Sequence, residues 1–340
     1  MSGNITFRHN DTAVLSVTAV DAPEVKTSEE FDERIGDSYG RNGMRPGMLT
    51  KLAGIKERRW WPEGVSFVDG AIEAGRQAMQ AAGVEADQIG LMINTSVCRE
   101  NLEPSVAVRV HHELGLPTSC LNFDLTNACL GFVNGMQLAA TMIDAGQIDY
   151  ALIVDGEGSR VPQERTLARL GGPDSTAKDL FAEFATLTLG SGAAAMVLGR
   201  SSEHPEGHPV IGGASRAATQ HNELCVGDFE QMRTDAQGLM VAGMELATDL
   251  WKDAASEFDW VDMDRYFVHQ VSQPHTTKTA EALGLPVDRI PLTFPTLGNV
   301  GPAAVAITLA KEQDNLASGD RVLMMGIGSG LNMTCMELRW

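Results

Sequence analysis

Twice along this chain a tight, glycine-bearing turn opens a helix of small apolar residues, and about 20 residues further on an aspartate leads into a short apolar strand. The first copy runs from Asn127-Ala128-Cys129-Leu130-Gly131 through a helix ending near Gly146 to Asp149, the strand Tyr150 to Val154 and Gly156. The second runs from Gly298-Asn299-Val300-Gly301-Pro302 to Gly319, Asp320, the strand Arg321 to Met325 and Gly326. Repeated βαβ-like units of this kind commit the chain to an α/β fold with two similar halves, in which a reactive group from each copy can meet at the interface.

The rest of the pattern agrees. Strand-length apolar runs alternate with segments of helical period, which predicts a largely parallel sheet covered by helices. Ile89 to Val97 and Tyr150 to Asp155 read as buried strands, Val65 to Gly83 as an amphipathic helix stopped by its glycine, and Thr27 with Glu30 as a capping box. The charged stretch Gly156 to Leu189, with Pro162 and Pro173, reads as a mostly helical insertion. A polar joint at Ser201 to Pro209 marks the expected boundary, giving an N-terminal half over 1–203 and a C-terminal half over 204–340.

With 340 residues, 43% of them hydrophobic, the chain can bury a large core. Its formal charge of -19 repels phosphate polyanions, so nucleic acid is not an expected partner. Five cysteines without a CxxC pair fit free thiols in a reducing compartment. The N-terminus shows neither the basic nor the apolar part of a secretory signal, which deprives the sequon Asn4-Ile5-Thr6 of meaning, and no apolar run is long enough to span a bilayer. A cytoplasmic protein is expected.

Cys129 sits where the apolar run Leu121 to Leu125 gives way to a helix; amides at a helix start favour negative charge, so the thiol is expected to be biased toward thiolate and the same amides to hold an oxyanion. Cys98, Cys120, Cys225 and Cys335 open no such helix and read as structural thiols. His269 closes the strand Tyr266 to Val268, at the end of a sheet where ligands bind. Asn299 is its partner in principle: a carboxamide and a neutral imidazole can both donate to a thioester oxygen becoming an enolate. Glu103, ahead of a helix that Pro104 can start, is either a solvated carboxylate or, facing an apolar cavity, a base. Lys56, Arg58 and Arg59, beside Trp60 and Trp61, form the densest basic cluster and could receive a nucleotide phosphate. Gly36-Asp37-Ser38-Tyr39-Gly40 lacks the strand context of a hydrolase elbow, His204 and His208 lack the helix that would align metal ligands, and Gly326-Ile327-Gly328-Ser329-Gly330 lacks the residues of a phosphate loop. That last segment reads as a close-approach loop after a buried strand.

Asn127-Ala128-Cys129-Leu130-Gly131-Phe132, Val268-His269-Gln270, Gly298-Asn299-Val300-Gly301-Pro302 and Gly326-Ile327-Gly328-Ser329-Gly330, in that order, resemble the thiolase superfamily, specifically its ketoacyl-synthase III branch. Within the branch, Ile93-Asn94-Thr95-Ser96-Val97, Leu102-Glu103-Pro104-Ser105, Asp155-Gly156-Glu157 and Thr188-Leu189-Gly190-Ser191-Gly192-Ala193 resemble the OleA group of acyl-CoA-condensing enzymes. The resemblance implies a duplicated five-layered αβαβα fold, a homodimer, and covalent acyl transfer onto Cys129 with His269 and Asn299 around the enolate. It further implies that the amides of Cys129 and Ser329 form the oxyanion hole and that Glu103 acts as a base across the dimer interface. Coenzyme A enters as part of the substrate, with no permanently bound cofactor or metal expected, and association with downstream pathway enzymes is implied by the family alone. Two other readings compete: decarboxylative 3-oxoacyl synthesis from malonyl-acyl carrier protein, and a catalytically silent acyl-binding subunit.

Overall fold

The structure is a computed structural model that describes residues 5–340; Asn4 of the sequon and the three residues before it lie outside the described residues. Ten strands form one sheet: β1 (Thr6–Arg8), β2 (Thr12–Asp21), β3 (Ile89–Asn94), β4 (Leu121–Asp124), β5 (Tyr150–Glu157), β6 (Gly192–Arg200), β7 (His208–Ala217), β8 (Arg265–Val268), β9 (Arg321–Gly328) and β10 (Asn332–Arg339). Their spatial order is β8-β9-β10-β7-β2-β6-β5-β3-β4, with β1 on β7. Followed outward from the middle, β2-β6-β5-β3 and β7-β10-β9-β8 share one pattern, two antiparallel pairings and then a parallel one. The two sets join where Ala13 and Val14 meet Pro209 and His208. β4, parallel to β3, has no counterpart in the second set.

The expectation of a largely parallel sheet is corrected: only β4-β3-β5 and β8-β9 run parallel. A parallel pair needs a long crossover, whereas β9 returns as β10 through a turn of three residues, which permits only an antiparallel neighbour.

Six helices make the other layers: α1 (Phe67–Ala82), α2 (Val106–Glu113), α3 (Gly131–Asp144), α4 (Ala236–Ala254), α5 (Gln273–Leu283) and α6 (Ala303–Glu312). The pair α1 and α2 packs on the outer face of the first strand set, α4 and α5 on that of the second, and α3 with α6 fills the space between the sets. That is the expected five-layered αβαβα arrangement. α1 is a one-sided helix, capped by Ser66 and Asp69 and ended by left-handed Gly83, two residues shorter at its start than its periodicity predicts. α6 buries every residue from Ala303 to Leu309, because it is covered on both sides.

The capping box of Thr27 and Glu30 is present. The insertion forms helices Arg160–Gly171, Ala177–Ala182 and Phe184–Leu187, starting after β5 has run on to Glu157. β3 stops at Asn94, three residues short of its expected end. Among the described residues no helix is long and apolar enough to cross a membrane.

Candidate active site

Cys129 lies on the connection from β4 to α3, two residues ahead of the first helical residue. Ala128, just before it, holds φ at 45°, a left-handed conformation that costs a residue with a Cβ and that recurs at functional turns. Hydrogen bonds over-determine the turn. Asn127 Nδ2 donates to Asn134 Oδ1 (2.8 Å), and Asn332 Nδ2, from the other half, donates to Asn127 Oδ1 (3.1 Å). Gly328, at the end of β9, packs so closely that a Cβ there would stand 2.6 Å from the Asn127 carbonyl oxygen, so only glycine admits this approach. Ser329 occupies the turn that follows, beside the turn that carries Cys129.

His269 extends β8 by one residue, its amide donating to Met325 O of β9 (2.8 Å). Gly326, next along β9, presses on Leu130 and Val133, so Cys129 and His269 flank the same strand end. The imidazole is buried, and its Nδ1 meets no partner among the described residues. Burial, assisted by neighbouring His275, pulls His269 down to about 3, so the ring is neutral. Gln270, fully buried, accepts from the amides of Thr293 (2.8 Å) and Phe294 (3.1 Å) and donates to Pro291 O (2.8 Å), which ties this strand end to the segment leading to Asn299.

Asn299 is held on both sides. Its amide donates to Thr188 O and its carbonyl accepts from Gly190 N, each at 2.9 Å, where a Cβ on Gly190 would overlap the Leu297 carbonyl. Asn299 Oδ1 accepts from Gly301 N (3.0 Å), which leaves Nδ2 as the donating face of the carboxamide. Gly301 in turn lies against the buried carboxylate of Glu157 at the tip of β5.

The thiolate bias expected for Cys129 is overturned. Burial, reinforced by the negative charge of Glu157 and by Cys225 and Asp155, pushes the thiol up to about 12. Partial charges at a helix start stabilise an anion by about 1 kcal/mol, less than the cost of burying it next to two carboxylates. The resting pair is thiol and neutral imidazole. Glu157 and Asp155 are themselves pushed up by burial. Glu157 accepts from Val97 N (2.6 Å) and Cys98 N (3.2 Å), while Asp155 accepts from Thr95 Oγ1 (2.6 Å). Sequence reasoning gave these acids no role; the signal available was a pair of carboxylates at the end of an otherwise apolar strand. It also set Cys225 aside, although that thiol is electrostatically coupled to Cys129.

Glu103 stands apart from this cluster, exposed on the loop between β3 and α2. Pro104 does not start α2, which is capped at Ser105 and begins at Val106. Arg58 is withdrawn as a phosphate contact: it has no exposed surface, donates to Lys26 O, Ser28 Oγ and Leu187 O, and lies over the Phe31 ring. In its strand Arg58 alternates with Arg59, so one basic residue must point inward with Trp60. Arg59 is half-buried and paired with Glu57 (3.3 Å), and Lys56 is exposed.

Two family descriptions match the chain: 3-oxoacyl-[acyl-carrier-protein] synthase III over residues 123–162, and the C-terminal part of that family over 254–340. The acyl-CoA:acyl-CoA alkyltransferase of Xanthomonas campestris pv. campestris is 42% identical over 332 residues, covering 96% of this chain and 98% of that protein. The acyl-CoA:acyl-CoA alkyltransferase of Shewanella oneidensis is 33% identical, covering 94% and 96%. OleA of Xanthomonas campestris with bound cerulenin superposes with a TM-score of 0.96 at 40% identity, each chain covered to 98%. The same enzyme with lauric acid and lauroyl-CoA gives 0.95, covering 98% of this chain and 100% of that one. Likeness of sequence and of three-dimensional course along nearly the whole length places this chain in the OleA family of acyl-CoA:acyl-CoA alkyltransferases, within the ketoacyl synthase III branch of the thiolase superfamily.

Proposed function

We propose that the chain catalyses the non-decarboxylative Claisen condensation of two fatty acyl-CoA thioesters, for olefin biosynthesis, acting as a homodimer with the two halves divided near residue 203. The observation that carries the reading is the combination of a half-buried, neutral thiol and a buried, neutral imidazole at one strand end with a carboxylate displayed on an exposed loop. The first suits acyl transfer; the second suits a base delivered to another subunit. Support comes from OleA of Xanthomonas campestris, studied with substitutions of one cysteine, one histidine and one glutamate. Its substituted glutamate precedes its substituted cysteine by 26 residues, the separation of Glu103 and Cys129 here.

In the first step Cys129 Sγ attacks the acyl carbonyl carbon while its proton is relayed by the neutral imidazole of His269 to the departing coenzyme A sulfur, so neither a thiolate nor an imidazolium need persist at rest. The amides of Cys129 and Ser329 hold the oxyanion, and coenzyme A leaves with the proton. A second acyl-CoA then places its thioester oxygen against His269 and Asn299 Nδ2. Glu103 of the partner subunit removes the α-proton, the resulting carbanion attacks the acyl-Cys129 carbonyl and expels the sulfur as thiolate, and the proton held by Glu103 returns to that sulfur by way of solvent, restoring thiol and carboxylate. The 2-alkyl-3-oxoacyl thioester is hydrolysed to the β-keto acid. Lys56 and Arg59 remain the candidate contacts for coenzyme A phosphates. A cytoplasmic location and contact with downstream enzymes belong to the same reading.

Two saturated acyl-CoAs supplied without malonyl-carrier test it. A β-keto acid, or the branched ketone left after loss of carbon dioxide, is expected. Product only on addition of malonyl-acyl carrier protein would replace the reading with decarboxylative synthesis, and an inert Cys129 with no product at all would favour the silent acyl-binding subunit.

A further inference from the structure

The loop between β3 and α2 is held at both ends and free in the middle. At its entry, Glu157 accepts the amides of Val97 and Cys98. At its exit, Asp124 accepts the amides of Val106 (3.1 Å) and Ala107 (2.9 Å), the first turn of α2. Arg99 joins the two ends: it pairs with Asp124 Oδ2 (3.3 Å), donates to Ser96 O (2.5 Å) and Cys98 O (2.8 Å), and bonds Thr126 Oγ1 on the connection to Cys129. Between these anchors Asn101 to Pro104 are exposed, Leu102 to 82%. The loop is therefore an arch with fixed feet, carrying Glu103 near its crown.

We propose that Arg99, working through Asp124, is a positioning residue for the condensation step: it sets where Glu103 is presented to the neighbouring subunit and takes no part in acyl transfer to Cys129. This rests on the reading of Glu103 as the base. Proton abstraction from carbon requires reacting atoms within a few tenths of an ångström of contact, so a base on an unanchored loop spends most of its time misplaced. Counting Ser96 Oγ as well, five acceptors around one planar guanidinium define a geometry that an ammonium group does not reproduce. Asn134 and Asn332 hold Asn127, on the Cys129 side of that connection, without Arg99.

Arg99→Lys tests the proposal in the full-length enzyme with lauroyl-CoA as probe. Acylation is read as the Cys129 adduct by mass, condensation as β-keto acid formed, and α-proton removal as deuterium uptake into lauroyl-CoA in heavy water. Acylation is expected within about threefold of the parent, with condensation kcat and deuterium uptake falling together by roughly 30-fold or more and KM almost unmoved. Parental condensation, or an equal fall in acylation, overturns the proposal. Should Arg99→Lys not fold, Thr126→Val removes a single acceptor and is expected to show the same split at about three- to tenfold; parental condensation or an equal fall in acylation there overturns it likewise. Glu103→Gln separates the two levels of the argument. If it condenses normally, the base is elsewhere and both readings fall; if it is inactive while Arg99→Lys is normal, only the positioning role falls.

Discussion

The two turns that open the central helices occupy equivalent places in the repeated strand order, yet they are built by opposite means. Before α3, Ala128 takes a left-handed φ of 45° although it carries a Cβ; before α6, the left-handed positions are Gly298 at 70° and Gly301 at 55°. A left-handed alanine stores about 1 kcal/mol, and a glycine stores almost none. Strain is thus kept where a sulfur must point in one direction and its side chain is too short to be steered by hydrogen bonds. The carboxamide of Asn299 is steered by its own bond to Gly301 N and needs no strained backbone. Electrostatics divide along the same line. Desolvation, with the nearby acids Glu157 and Asp155, keeps Cys129 protonated, while burial beside a second histidine keeps His269 neutral. In the reaction proposed above, each copy of the repeated turn serves a different half of the chemistry.

The contrast is most exposed to substitution at the two reactive groups. Cys129→Ala should abolish both adduct formation and condensation, a loss of roughly 10⁴-fold or more by product assay. Asn299→Ala should lower condensation by about 10²- to 10³-fold while acylation, followed by mass, moves less than about fivefold. A comparable fall in acylation would show that the carboxamide serves both steps and that the division of labour is absent.

A third measurement addresses charge. With the thiol pushed up to about 12, the thiolate fraction grows with pH throughout the accessible range. Iodoacetamide labelling of the Cys129 peptide should therefore climb about tenfold per pH unit between roughly pH 7 and 10. Levelling off near 8.5, where an unperturbed thiol titrates, would mean that the site stabilises a thiolate after all. The smallest effect concerns strain: Ala128→Gly should raise resistance to urea by about 1 kcal/mol and slow acylation a few-fold as the sulfur loses its fixed direction. A loss of stability would remove strain from the account.

Much of this was readable from one chain. The paired elbows, their helices and the aspartate-led strands announced two similar halves; a capping box marked the start of Ser28–Arg34 and a glycine the end of α1, because such signals act within one helical turn. Cys129 and His269 stood out because each sits where a strand gives way to a helix, and Asn299 because it opens a helix of small residues. Sheet polarity was misread, since apolar runs are alike in parallel and antiparallel strands once both faces are covered. Arg58 was misread because two adjacent arginines carry no mark of which one faces inward.

Local sequence by itself determined the capping box ahead of Ser28–Arg34, the glycine stop of α1 and the repetition of the fold, because propensity, capping and periodicity operate over a few residues. Tertiary structure alone decided that the thiol is neutral, that Arg58 is interior, and that Asp124, Arg99 and Glu157 secure the loop of Glu103. Burial and charge pairing depend on groups dozens of residues apart in the chain, and the free energy of a buried charge is set by those distant neighbours and not by the residue that bears it.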